Sequence, residues 1–172
     1  MHELVPDANR VAVLVNPSNI ANAEANLREV QDAARLVGLP IDILKASTGR
    51  EIEAAFATMV GERVEALFVT GDTYFLSQRL QLATLAARHG IATSDVTREF
   101  VEAGGLMSYG TDLADMYHHV GAYTGRILEG AKPALPVVQS ARFEFVLNLK
   151  TARTLGLAVP RGLLAIADEV IE

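Results

Sequence analysis

Short, unbroken β-branched runs separated by helix-length amphipathic stretches constrain the fold of this chain more than any other feature. Val11-Ala12-Val13-Leu14-Val15 has no polar residue at any position, and a strand apolar on both sides must be covered on both faces, as in a parallel sheet. The run stops at Asn16-Pro17-Ser18-Asn19. Ala23, Leu27, Val30, Ala34 and Val37 then recur at helical spacing until Gly38 and Pro40 end the pattern. The unit repeats: Ile41 to Leu44 reads as a strand, Glu51 to Val60 as a helix, Ala66 to Val69 as the next buried strand, and Leu76 to His89 as a further helix. Strands and helices alternating at these lengths are joined by right-handed crossovers. The expected class is α/β, an open, mainly parallel sheet with helices on both faces.

Past Ile91 the pattern shortens. A strand leads into Ser94-Asp95-Val96-Thr97, a helical turn runs through Phe100, and glycines before Leu106 and at Gly110 bracket another strand. Leu113, Met116, Tyr117, Val120, Thr124, Ile127 and Leu128 fall on one face of a helix that Thr111 and Asp112 can cap and Gly130 ends. Lys132-Pro133-Ala134-Leu135-Pro136 reads as an extended connection, suited to crossing between lobes, because each proline pushes its predecessor out of helical geometry. Phe143 to Leu147 is expected as the last strand and Asn148 as a cap. Thr151 to Leu155 then reads as a short helix closed by Gly156, and Leu163 to Val170 as a terminal helix.

A chain of 172 residues suffices for one core, so residues 1–172 are read as a single domain. Its formal charge of −6, with no clustered Lys or Arg, offers nothing to a phosphate backbone, which argues against nucleic acid as a partner. With no cysteine, disulfides, thiol nucleophiles and cysteine-held metals are excluded. The segment Met1-His2-Glu3-Leu4-Val5-Pro6-Asp7 lacks the basic-then-apolar order of a secretory signal, and no apolar run approaches the ~20 residues that span a bilayer. On the sequence as it stands, the expected compartment is the cytoplasm.

Ligands of open parallel sheets sit beyond the carboxyl ends of the strands, where loop side chains and helix-starting amides converge. Three loops meet that rule: Asn16 to Asn19, Gly71 to Tyr74, and Ser94 to Thr97. Asn16, Ser18 and Asn19 place short hydrogen-bonding groups at a helix start, serving either as a cradle for a polar or anionic group or as ordinary caps. Asp72, beside Thr73 and Tyr74, is either an acceptor for a ligand ammonium or a turn residue. Asp95 supplies the third loop, and Tyr109 either presents its ring to the cleft or lies in the core. His118 and His119 are adjacent on a helix and point about 100° apart, which is wrong for a metal pair. His2 and His89 have no partner at ligand spacing, and no nucleophile-elbow, Walker or dinucleotide motif is present. Neither an enzyme nor a cofactor is indicated.

Three stretches carry a resemblance: Arg10 to Asn19 (RVAVLVNPSN), Arg98 to Gly110 (REFVEAGGLMSYG) and Phe145 to Ala152 (FVLNLKTA). They resemble the substrate-binding proteins of ABC transporters related to tryptophan and tyrosine uptake components. That resemblance implies a type I periplasmic-binding-protein clamshell, in which two α/β lobes close on a solute and deliver it to an ABC permease in the membrane. It implies a periplasmic location, a chain beginning where the second lobe begins, and residues 104–135 as the segment that returns to a first lobe. The stretch Thr93-Ser94-Asp95-Val96 is more polar than its counterpart in that family, so an aromatic amino acid is only one candidate solute.

Two functions follow as expectations. In one, the chain is the solute-binding component, or a truncated form of it, of an ABC importer, with Asn16, Ser18, Asn19, Asp72, Thr73, Tyr74, Asp95 and Tyr109 around a small polar solute. In the other, it is a cytoplasmic regulatory or oligomerising module that kept the fold. A homodimer is expected in either case, because the apolar face from Leu113 to Leu128 needs a cover.

Overall fold

The computed structural model describes residues 3–6, 8–130 and 142–172. Its strands are β1 (Val11–Val15), β2 (Ile41–Lys45), β3 (Ala66–Val69), β4 (Ala92–Asp95), β5 (Met107–Thr111), β6 (Phe143–Asn148) and β7 (Glu169–Ile171). The helices are α1 (Ile20–Val37), α2 (Gly49–Glu62), α3 (Thr73–Ser77), α4 (Arg79–His89), α5 (Arg98–Glu102), α6 (Leu113–Leu128), α7 (Leu149–Thr154) and α8 (Arg161–Ile166). They build one seven-stranded sheet in the order β2-β1-β3-β4-β5-β6-β7. Every neighbouring pair is parallel except β5 and β6, which run antiparallel with Met107 opposite Leu147 and Thr111 opposite Phe143. The class is α/β with a mainly parallel sheet.

Alternation along β1 divides the core. Ala12 and Leu14 join Ile52, Phe56 and Met59 of α2, Leu82 of α4 and Phe100 of α5 on one face. Val11 joins Leu4, Ala66, Ala92, Leu147, Ala152 and Leu163 on the other. Successive strand residues point to opposite faces, so an unbroken apolar run is what a doubly covered strand needs. Polar residues inside the sheet are satisfied individually: the Thr70 hydroxyl donates to the Leu14 carbonyl at 2.8 Å, Thr93 Oγ1 accepts from the Leu106 amide at 3.2 Å, and Asn148 Nδ2 donates to the Val101 carbonyl at 3.2 Å.

Two expectations fail. The helix expected over Leu76 to His89 is two helices, because Asp72 caps a short α3 early and Gln78, at φ −97° and ψ 11°, interrupts the ladder before α4. The terminal helix stops at Ile166, and Glu169 to Ile171 instead form β7 beside Val146 to Asn148. The strand edge of β6 offers that segment a full set of hydrogen-bond partners, which a continued helix would leave open. The connection expected over Lys132 to Pro136 lies outside the described residues. Asp112 does cap α6, accepting from the Asp115 amide at 3.0 Å, yet α6 contains no buried residue.

Candidate functional site

The carboxyl ends of β1, β3, β4 and β5 lie side by side, and their loops are joined residue by residue. Asn16, buried at the end of β1, donates from Nδ2 to Asp72 Oδ1 at 2.9 Å and accepts the Ser18 amide on Oδ1 at 3.0 Å. Asn19 donates to Asp72 Oδ2 at 3.1 Å, and the Tyr74 amide donates to Asp72 Oδ1 at 2.9 Å. Asn22 donates to the Gly71 carbonyl at 2.7 Å. Burial pushes the Asp72 carboxyl up, but hydrogen bonds from Asn16, the Tyr74 amide, Asn19 and Asn22 outweigh it and leave it below the ordinary aspartate value. Both Asp72 oxygens therefore already accept, and the residue ties the first two loops together while capping α3. Ser18 and Thr73 are exposed beside this tie, and the Tyr74 side chain is half-buried.

The third loop joins by packing. A Cβ on Gly71 would lie 3.0 Å from Val96 Cγ2, and one on Gly110 would lie 1.8 Å from the Val96 carbonyl oxygen, so the chain at Gly110 passes where no side chain fits. Ser94 and Asp95, expected in the loop, instead complete β4 opposite Met107 and Ser108, and Asp95 is 5% exposed, its Oδ1 accepting the Thr97 amide and hydroxyl, each at 2.8 Å. Burial raises its carboxyl to about 6 against the pull of those hydrogen bonds.

Between the β4 and β5 loops and the start of β6 opens a groove of about 550 Å³, walled by Val96, Thr97, Tyr109, Gly110, Leu113 and Phe143. Tyr109 and Phe143 stack with ring centroids 5.6 Å apart at 11°, and both are more than half exposed, at 58% and 51%. Tyr109 thus lies at the groove and not in the core. Arg98, also on the groove, is held by three carboxylates: Nε to Glu102 at 3.1 Å, and Nη1 to Glu144 and Nη2 to Glu169 at 2.7 Å each. The hydrogen bonds to Glu102 and then Glu169 raise the guanidinium further above its already high value.

Of the residues singled out in the sequence, Asn16, Asn19, Asp72 and the Tyr74 backbone converge, Asp95 sits beneath the same edge, and Tyr109 stands at the neighbouring groove. Sequence reading missed Asn22, which looks like one more polar helix residue, and Phe143, whose stacking partner is set by an antiparallel register no local pattern encodes. It also missed Arg98 with Glu144 and Glu169, whose pairings join distant segments. Among the described residues no group of three His, Cys, Asp or Glu could hold a metal, and no helix is long and apolar enough to cross a membrane.

Open α/β sheets bind ligands at this edge, and a family model described as ABC transporter substrate binding protein matches residues 1–171. The chain belongs to that family. Family members bind solutes and are not an enzyme class. A solved ABC domain from Streptococcus pneumonia in complex with L-Trp superposes with a TM-score of 0.88 at 26% identity, covering 99% of this chain and 57% of that one. A conserved domain protein from Vibrio cholerae superposes at 0.86 with 24% identity, covering 98% and 57%. The ligand-free, open form of a substrate binding protein with adhesive properties from Clostridium difficile superposes at 0.73 with 21% identity, covering 98% and 56%. The last two show a shared fold. This chain spans just over half the length of each of these solved proteins. No match is found among curated proteins.

Proposed function

We propose that this chain forms one α/β lobe of an ABC importer's solute-binding component and holds a small polar solute, such as an amino acid, at the carboxyl edge of its sheet. The observation that carries this reading is the joining of three strand-end loops and the end of β5 into one continuous edge, Asn16 to Asp72, Gly71 to Val96, and Val96 to Gly110. Open α/β sheets bind ligands there. Family membership and the L-Trp complex of a similar structure support the solute class and a permease as the receiving partner; the periplasm or cell exterior is the proposed place of work. The domain is taken as residues 1–172, with 104–135 as the part that returns toward a first lobe. A pocket that encloses its ligand needs walls on both sides, so this lobe alone binds weakly.

Calorimetry against an amino-acid panel tests the reading. Asn19, exposed and bonded to Asp72 at the loop tie, is the informative position. Asn19→Ala is expected to weaken the best solute by about fivefold, the weight of one hydrogen bond of roughly 1 kcal/mol, with unchanged melting. Heats that are absent, or identical in the variant, would count against the edge as the site.

One observation favours a second association. Leu113, Tyr117, Val120, Ile127 and Leu128 of α6 are all exposed. We propose that a second copy covers this face when no other lobe does.

A further inference from the structure

We propose that the groove beside the stacked Tyr109 and Phe143 rings receives the cationic end of the solute, an ammonium carried on a planar or aromatic body, and not its carboxylate end. This rests on the groove being part of the solute site, and it assigns the sense of charge that this lobe contributes.

Four charged residues line the groove: Glu99, Asp112 and Glu144 are acidic, and Arg98 is the single cation. Each of the three nitrogens of Arg98 already faces an acid, Glu102, Glu144 or Glu169, so its single positive charge is outnumbered by its neighbours and only the second N–H of each Nη is left over. Asp112 has a cationic neighbour in Arg142 at 3.3 Å, which leaves an excess of acid along the wall. Glu144 reports that excess: burial raises its carboxyl, Arg98 opposes this, and the charges of Asp112, Glu169 and Asp168 push it up again. Glu99 has one carboxylate oxygen enclosed without a hydrogen-bond donor, so the fold leaves that acceptor unused. The stacked rings add electron-rich faces, which attract cations and reject anions. A negative wall with an aromatic floor complements an aryl-alkylammonium, and a carboxylate entering it would meet like charge beside a guanidinium already matched by acids.

The test uses three probes of one shape on the whole chain: tyramine, the matching 3-(4-hydroxyphenyl)propionate, and the neutral alcohol tyrosol. Binding is read by ligand-detected NMR titration. The expected order is amine over alcohol over acid, with amine and acid separated by at least about tenfold. Tyr109→Ala is expected to remove the binding of all three. Glu144→Gln gives the sharper readout: it takes away one acid and releases a nitrogen of Arg98, so the gap between amine and acid should close or reverse. A wild-type preference for the acid, equal binding of amine and acid, or a gap unmoved by Glu144→Gln would overturn the proposal while leaving a solute groove in place. If none of the three probes binds, the groove is not part of the solute site, and this inference falls while the polar edge at Asn16 and Asp72 is still tested by the calorimetry.

Discussion

Burial gives the Asp95 carboxyl a proton affinity that the unfolded chain does not share. Unfolded, the group ionises near its ordinary value of 3.8; folded, it keeps its proton up to about 6. Below the lower value both states are protonated and the burial costs nothing electrostatically. As pH rises between the two, the unfolded state releases its proton first, so stability falls by about 3 kcal/mol from this group and then levels off. Asp95→Asn keeps an oxygen to accept from Thr97 and removes the charge. Urea denaturation should find the variant more stable at about pH 8 and similar at about pH 3.5; equal stability at the higher pH would show that the native site solvates the carboxylate. A second contrast concerns two glycines. Gly110→Ala drives a methyl into the Val96 carbonyl and should cost about 3 kcal/mol or more, whereas Gly121→Ala meets nothing within 4 Å on an exposed helix face and should gain up to about 1 kcal/mol. Thermal melts of both variants check the pair.

Among the long helices, α1 and α6 stand apart in burying no residue. Helices α2 and α4 each sink four side chains into the core, while α6, with a pattern at least as amphipathic in sequence, sinks none. Each large apolar side chain covered there is worth roughly 1.5 to 3 kcal/mol, so a cover is strongly favoured. Sedimentation at micromolar concentration is expected to show a dimer that Leu113→Glu or Val120→Glu dissociates; a monomer unaffected by either would dispose of the second-copy cover. The same element shows where sequence reading stops. Its span and its Asp112 cap could be read from spacing and cap chemistry, as could β1 and β3 from their unbroken apolar runs. What α6 packs against could not, since amphipathicity says that a face wants burial and not where. The break at Gln78 was hidden because no glycine or proline marks it, and β7 because Glu169-Val170-Ile171 is too short to show a period of its own. At the site, polar loops at strand ends were readable from position alone. The Tyr109–Phe143 stack and the Arg98 cluster depend on which strands become neighbours, and that is decided only when the chain closes.

At the scale of the whole molecule, the sheet consists of two unlike parts. From β2 through β5, strands that follow one another in the chain are joined by helical crossovers, the one from β2 to β3 passing over β1, and the loops of the proposed site come from this part. Strands β6 and β7 are added by the one antiparallel junction, whose residues Met107 and Leu147 are separated by all of α6 and by everything between it and β6. Closing a long loop costs entropy before any contact repays it. The chain should therefore assemble in order, with the crossover units forming first and the Phe143 to Ile171 ribbon docking last. Contacts that form late govern how fast a protein comes apart more than how fast it comes together. Weakening the ribbon, at Leu147 for example, would then shorten the lifetime of the native state with little effect on its rate of formation, and a defect at Leu14 in β1 would do the reverse. The Arg98 cluster, which pins that ribbon to α5, would on this view act as a kinetic clasp: the groove it borders lasts as long as the last strand to arrive stays in place.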